Sequence, residues 1–171
     1  MPEIAAPVTV MAALAREFSL PDAGVSTVIV VRLLLALVLG GLLGLERESK
    51  GRAAGLRTHM LVAAGSALFV MAPLLAGVSM DDVTRVMQGI VSGIGFLGAG
   101  AIIKLESGTR PEAASRVHGL TTAAGIWMTS AIGMAVGMGL AVAAIVSTVL
   151  ALAVFALVPR LLAFAARDRQ P

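Results

Sequence analysis

Charge is scarce in this sequence. Only 13% of its 171 residues are Asp, Glu, Lys or Arg, while 58% are hydrophobic. A soluble domain carries about 25% charged residues, so the chain lacks the means to cover a water-facing surface. Its long runs also lack the polar stripe that a water-facing helix needs. Cysteine is absent, which excludes disulfides and thiolate metal sites and says little about compartment. No Lys or Arg precedes Arg16, and Glu3 stands near the start, a pattern that argues against a cleaved signal peptide. The apolar runs lack the two-residue alternation of a membrane barrel. There is no nucleotide-binding loop, no Cys nucleophile and no metal-ligand cluster. An enzyme, a cofactor and a bound metal are therefore not expected.

What is present is apolar residues in long blocks, with 19 glycines among them and a mean hydropathy of +0.95. Glycine is commoner in membrane helices than in soluble ones. The first block runs from Val25 to Leu45, the second from Met60 to Val78 with Pro73 inside it, and the third from Val86 to Ile103. Gly119 to Leu162 is interrupted by Arg160 alone. At about 1.5 Å per residue that stretch far exceeds a hydrocarbon core roughly 30 Å thick, so it must fold into two helices. Gly137-Met138-Gly139 is the expected break, since glycine tolerates a turn. The result is Leu120–Val136 and Leu140–Leu157, and an all-α bundle of five transmembrane helices. The division is an extracytoplasmic segment over 1–24, a membrane domain over 25–162 and a short cytoplasmic tail over 163–171. Within the first segment, Val8–Phe18 reads either as a surface amphipathic helix or as disorder, followed by a turn at Pro21–Gly24.

The basic residues set the orientation. The first loop holds Arg47, Lys50, Arg52 and Arg57; the third holds Lys104, Arg110 and Arg116; the tail holds Arg160, Arg167 and Arg169. The other side holds Arg16 and Arg85. Ten against two places the first group in the cytoplasm by the positive-inside rule, with the N-terminus outside. The net charge of +3 is thus a matter of membrane orientation, and no nucleic-acid partner is expected.

Four motifs stand out. Glu46 to His59 forms a charged loop at the mouth of spans one and two. It reads as an ion or partner site, or as a basic loop on anionic headgroups. Within it Gly55 can take a positive φ and Thr58 is placed to cap the next helix. Arg32, the one charge inside a span, either snorkels or pairs with Asp81 or Asp82 on the same side. The third motif is Gly93-Ile94-Gly95-Phe96-Leu97-Gly98-Ala99-Gly100. It reads as tight helix packing or as a locally unwound helix whose carbonyls line an ion path. Small-xxx-small pairs recur at Gly40 and Gly44, Gly89 and Gly93, and Gly133 and Gly137, and they predict a homo-oligomer. The fourth motif, Val117 to Trp127, offers Thr121 or Thr122 as a cap or an interhelical hydrogen-bond donor. His59 and His118 both stand at cytoplasmic span ends and suit a pH-sensing pair.

Gly44-Leu45-Glu46-Arg47-Glu48, Ala54-Gly55-Leu56-Arg57-Thr58-His59, Ser92-Gly93-Ile94-Gly95-Phe96-Leu97-Gly98-Ala99-Gly100 and Gly119-Leu120-Thr121-Thr122-Ala123-Ala124 occur in this order. Together they resemble the membrane domain of the MgtC/SapB family. The resemblance implies an inner-membrane protein linked to magnesium limitation. Some relatives are virulence factors needed inside macrophages, some restrain the F1Fo ATP synthase, and others are associated with acid resistance. By matched position it implies a functional polar set of Arg32, Glu46, Arg47, Glu48, Arg57, Thr58, Arg85, Thr121 and Thr122. The chain departs from the family in three places. Many relatives continue into an ACT-like cytoplasmic domain, whereas this sequence stops shortly after its fifth span, and functions needing that domain are not expected of it. Gln88 is offset by one from the usual glutamine position, here Gly89. His118 stands where a basic residue is usual. The expectation is a non-enzymatic regulator under magnesium or acid stress. The alternative is a transporter or channel for Mg²⁺ or another ion. Against transport stands the absence of any Asp or Glu inside a span, since magnesium prefers oxygen ligands and intramembrane carboxylates mark ion paths.

Overall fold

The computed structural model describes residues 9–19, 21–106 and 119–167. They form six helices: α1 (Val10–Glu17), α2 (Ala23–Ser49), α3 (Leu56–Leu75), α4 (Met80–Glu106), α5 (Leu120–Gly137) and α6 (Ala141–Arg167). Helices α2 to α6 each contain a stretch long and apolar enough to cross a membrane. No strand occurs among the described residues. The five expected spans are all present, and several helices start or end away from the edges of the apolar runs for identifiable reasons.

Those reasons are caps. The Asp22 carboxylate accepts from the amides of Gly24 at 2.7 Å and Val25 at 3.2 Å, which starts α2 ahead of the apolar run. Such a side chain satisfies donors that a helix start leaves orphaned. Three helices end alike. At Gly51, Gly77 and Gly139 the backbone turns left-handed, with φ of +63°, +75° and +85°. At each, the next amide reaches back to a carbonyl five residues earlier: Arg52 to Arg47, Val78 to Pro73 and Leu140 to Ala135, at 2.9–3.0 Å. This is the Schellman closure, for which glycine suits the αL position. The break expected at Gly137-Met138-Gly139 thus lies at Gly139. Helix α4 begins at Met80 because Ser79 and Asp82 cap it reciprocally, the Ser79 hydroxyl donating to Asp82 at 2.9 Å and accepting from its amide at 3.3 Å.

Helix α5 is the axis of the bundle. It touches α2, α3, α4 and α6, which surround it in the order α6, α2, α3, α4, and no contact joins α4 to α6. Of its spanning stretch 56% is buried, against 17% for α4 and α6. The ring is therefore open on one side, where Leu120, Ala124 and Trp127 of α5 are exposed. Glycines set the closest crossings. A Cβ on Gly40 would lie 2.6 Å from the His59 carbonyl oxygen, and one on Gly44 would lie 2.7 Å from the Leu56 Cα. One on Gly133 would collide with the Ala63 carbonyl, and one on Gly137 would lie 2.5 Å from that of Ala67. So α3 is clasped between the glycine faces of α2 and α5, and Ala63 and Ala67 are fully buried there. Ser66 and Ser130 bridge α3 and α5 at 2.8 Å.

Helix α4 behaves otherwise. It remains a continuous α-helix through Gly93–Gly100, so the locally unwound reading of this run is corrected. Gly98 meets Ala123 of α5 at 3.4 Å, but Gly89, Gly93, Gly95 and Gly100 have no neighbour within 4 Å of a Cβ among the described residues. These four do not pack α4 against any described residue. With Leu61, Gly65 and Phe69 of α3, Gly89 and Gly93 line an apolar groove of about 500 Å³. Helix α1 is present as a helix, with Val10, Met11, Leu14 and Phe18 exposed and, among the described residues, no other helix against it.

Candidate functional site

The sequence concentrates its distinctive polar residues where α2 ends and α3 begins, and the fold adds α5 and α6 to that end. Arg47 faces inward and is 3% exposed. Its guanidinium pairs with the adjacent Glu46 and lies over the ring of Phe155 on α6, 3.6 Å from the ring centre. The desolvated cation is compensated in two ways here, by a counter-charge and by an aromatic face. The Phe155 ring fits because residue 125 is glycine: a Cβ there would sit 3.3 Å from its tip. On the other side of Gly125 is His59, fully buried, with Nε2 3.7 Å from the same Cβ position. The Nδ1–H of His59 donates to the Gly55 carbonyl at 2.9 Å, since a carbonyl can only accept. That leaves Nε2 as the acceptor nitrogen. His59 Nε2 and Glu46 Oε1 are the buried side-chain polar atoms without a hydrogen-bond partner among the described residues.

Glu48 has a structural task. Its Oε2 accepts from the Leu56 amide at 2.7 Å, so a carboxylate from the end of α2 caps the positive end of α3. This non-local cap begins α3 at Leu56. Gly55 leaves room for that approach, as a Cβ would fall 2.6 Å from the same oxygen and push the carboxylate aside. Its φ is −107°, so the positive φ expected there is corrected: what glycine supplies is space for the Glu48 carboxylate, not a left-handed turn. The capping role expected of Thr58 is also corrected, because Gly55 is the N-cap and no side chain caps α3 locally. Thr58 lies half-buried beside Ala53, Ala54 and the Phe96–Ala101 part of α4. Gly119, with φ of +95°, replaces Thr121 and Thr122 as the N-cap of α5. Thr122 is buried, whereas Thr121 is exposed beside Glu46 and Arg47. Arg57 is exposed, and His118 lies outside the described residues.

Arg32 stands at the opposite end. Its Nη1 donates to the Gly137 carbonyl at 2.8 Å, which corrects the expected pairing with Asp81 or Asp82. The physical reason is that the last carbonyls of a helix lack partners and carry its negative pole, while both aspartates occupy the first turn of α4. Asp82 also sits 3.9 Å from Arg85, and both side chains are well exposed. The residues named from the sequence therefore divide between two ends. Glu46, Arg47, Glu48, Arg57, Thr58, Thr121 and Thr122 share the basic end; Arg32 and Arg85 do not. Sequence reasoning missed Phe155 and Gly125. The one available signal was that Phe155 is one of only five phenylalanines in an otherwise aliphatic chain.

An all-helical bundle of five membrane-length segments, carrying a compact polar centre at one end, defines a multi-pass membrane protein. The MgtC family model matches residues 33–164, and the chain belongs to that family. Among similar proteins, SrpB of Synechococcus elongatus is 48% identical over 114 residues, covering 64% of this chain and 63% of that protein. MgtC of Brucella abortus is 49% identical over 123 residues, 71% of this chain and 48% of that protein. YhiD of Escherichia coli, provisionally named a magnesium transporter, is 40% identical over 136 residues, 74% of this chain and 60% of its own length. The chain thus spans about half to two thirds of these relatives. No solved structure matches it. Family and fold together make it a multi-pass protein of the bacterial inner membrane.

Proposed function

We propose that this protein is a non-enzymatic regulator in the inner membrane that adjusts magnesium or energy balance under magnesium limitation or acid stress, with the F1Fo ATP synthase as its partner. The proposal includes the orientation read from the basic residues, with the α2–α3 loop in the cytoplasm. The observation that carries it is the layering of polar groups. Among the described residues every Asp and Glu lies at a helix end or in a turn. The middle of the bundle is closed by glycine–backbone contacts, and its polar side chains satisfy one another or their own helix: Ser66 with Ser130, Thr129 with Gly125 and Thr148 with Ala144. A Mg²⁺ path needs oxygen ligands in that layer, usually carboxylates. The open side of the ring and the α3–α4 groove instead offer lateral surface to another membrane protein.

The second reading, ion transport, is favoured by the magnesium-transporter name of the YhiD relative. Inverted inner-membrane vesicles with and without the protein separate the two. ATP-driven proton pumping and Mg²⁺ entry to a trapped dye are recorded together. The regulator reading expects reduced pumping and hydrolysis with no Mg²⁺ entry. Normal pumping with protein-dependent Mg²⁺ flux overturns it.

A further inference from the structure

Between the end of α2, the start of α5 and the last turns of the α6 span lies a cleft of about 660 Å³. Its two walls differ in chemistry. One carries Arg47, Lys50 and Arg52 and is joined by Arg160; the other is the apolar run Val154, Phe155, Val158 and Pro159 of α6. The single carboxylate in the lining, Glu46, pairs through Oε2 with Arg47 and balances that one cation. The side chains of Lys50, Arg52 and Arg160 are exposed and have neither a hydrogen bond nor an ion pair among the described residues. The cleft therefore holds three uncompensated positive charges against a lipid-compatible wall.

We propose that this cleft is a binding site for an anionic phospholipid, its phosphate held by Lys50, Arg52 and Arg160 and an acyl chain laid along Val154 and Val158. Charge complementarity selects the headgroup. A soluble anion would satisfy the cations but leave the apolar wall bare. A zwitterionic lipid would cover the wall but bring its own cation to the cleft. Basic pockets between helices at a membrane surface take anionic headgroups for this reason. Arg47 differs from the other three: buried, paired and stacked on Phe155, it fixes the floor of the cleft and is not a free ligand. The inference is independent of whether the protein regulates or transports.

The test uses the full chain in nanodiscs of phosphatidylcholine with a minor fraction of phosphatidylglycerol, read by native mass spectrometry. The wild type is expected to retain phosphatidylglycerol over phosphatidylcholine. The double variant Arg52→Gln, Arg160→Gln should lose that preference by about thirtyfold, which corresponds to two cations at about 1 kcal/mol each. Arg85→Gln, which removes one positive charge at the opposite end, should retain it. Equal retention in the double variant overturns the site, and so does equal loss in Arg85→Gln. Inorganic phosphate binding to the wild type in pure phosphatidylcholine discs, abolished in the double variant, would assign the cleft to a soluble anion and also overturn it. A second measurement does not depend on how the variant folds. Photoactivatable phosphatidylglycerol on the wild type should label residues 47–52 and 154–160; labelling confined to other segments overturns the proposal.

Discussion

Two charged side chains that a sequence reader assigns to function turn out to terminate helices other than their own. Glu48 of α2 caps the start of α3, and Arg32 of α2 caps the end of α5. Each places a full charge on the helix pole of opposite sign, an arrangement worth about 0.3–1 kcal/mol when exposed and up to about 2 kcal/mol when partly buried. Arg32→Ala should therefore lower the thermal stability of the detergent-solubilised protein by about 1–2 kcal/mol. In a double-mutant cycle its effect should add to that of Asp82→Ala, since the two share no partner. A coupling of about 1 kcal/mol or more would restore the Arg32–Asp82 pairing that the geometry rejects. Glycines give a sharper contrast. Gly40→Ala and Gly133→Ala force a methyl into the α3 backbone, and overpacking of this kind costs about 1–3 kcal/mol. Gly93→Ala meets open space and gains helix propensity of up to about 1 kcal/mol. Unfolding midpoints of the three variants should fall, fall, and hold or rise.

The helices themselves were largely written in the sequence. Five apolar runs gave five helices because nothing but a helix satisfies the backbone in hydrocarbon, and Gly137-Met138-Gly139 marked the one break that charge did not. What escaped was non-local. The acceptor for Arg32 is a backbone carbonyl 105 positions away, and a carbonyl has no side-chain signature. The start of α3 moved from Met60 back to Leu56 because its cap comes from Glu48, eight residues upstream, rather than from an adjacent Thr. Phe155 looks like any apolar residue of α6 until Arg47 is found beneath its ring. The small-xxx-small pairs were equally legible as motifs, but the pattern alone does not say which partner each face meets: two close on α3, and the pair on α4 meets none among the described residues. The α3–α5 union should also show a measurable polar term. Ser66→Ala and Ser130→Ala remove the two ends of one buried hydrogen bond. Their coupling in a double-mutant cycle should be about 0.6 kcal/mol and no more than about 1.7 kcal/mol, as for interhelical pairs in other membrane bundles. A coupling of zero would mean that each hydroxyl satisfies itself elsewhere.

For the whole molecule the open ring matters most, because it leaves α4 in contact with α3 and α5 only. Of the small-residue faces on which homo-oligomerisation is proposed, that of α4 is the one left open among the described residues, since the glycines of α2 and α5 are consumed inside the chain. Orientation in the membrane is open to direct measurement, and the absence of cysteine makes the experiment clean. Ala53 lies exposed in the α2–α3 loop and Val78 lies exposed in the turn before α4, so single Ala53→Cys and Val78→Cys variants report the two ends of the bundle. Burial does not shield either thiol, and neither side chain takes part in a cap (the α3 closure at Val78 uses its backbone amide, which cysteine keeps), so both variants should fold. With the basic end in the cytoplasm, an impermeant maleimide should modify Val78→Cys in intact spheroplasts. It should reach Ala53→Cys only in inverted vesicles or after permeabilisation. The reverse pattern would place the Arg47–Phe155 centre and its basic cleft outside the cell. A cytoplasmic encounter of that end with the ATP synthase would then fail, while a lipid site would survive, because anionic phospholipid can be supplied from either leaflet.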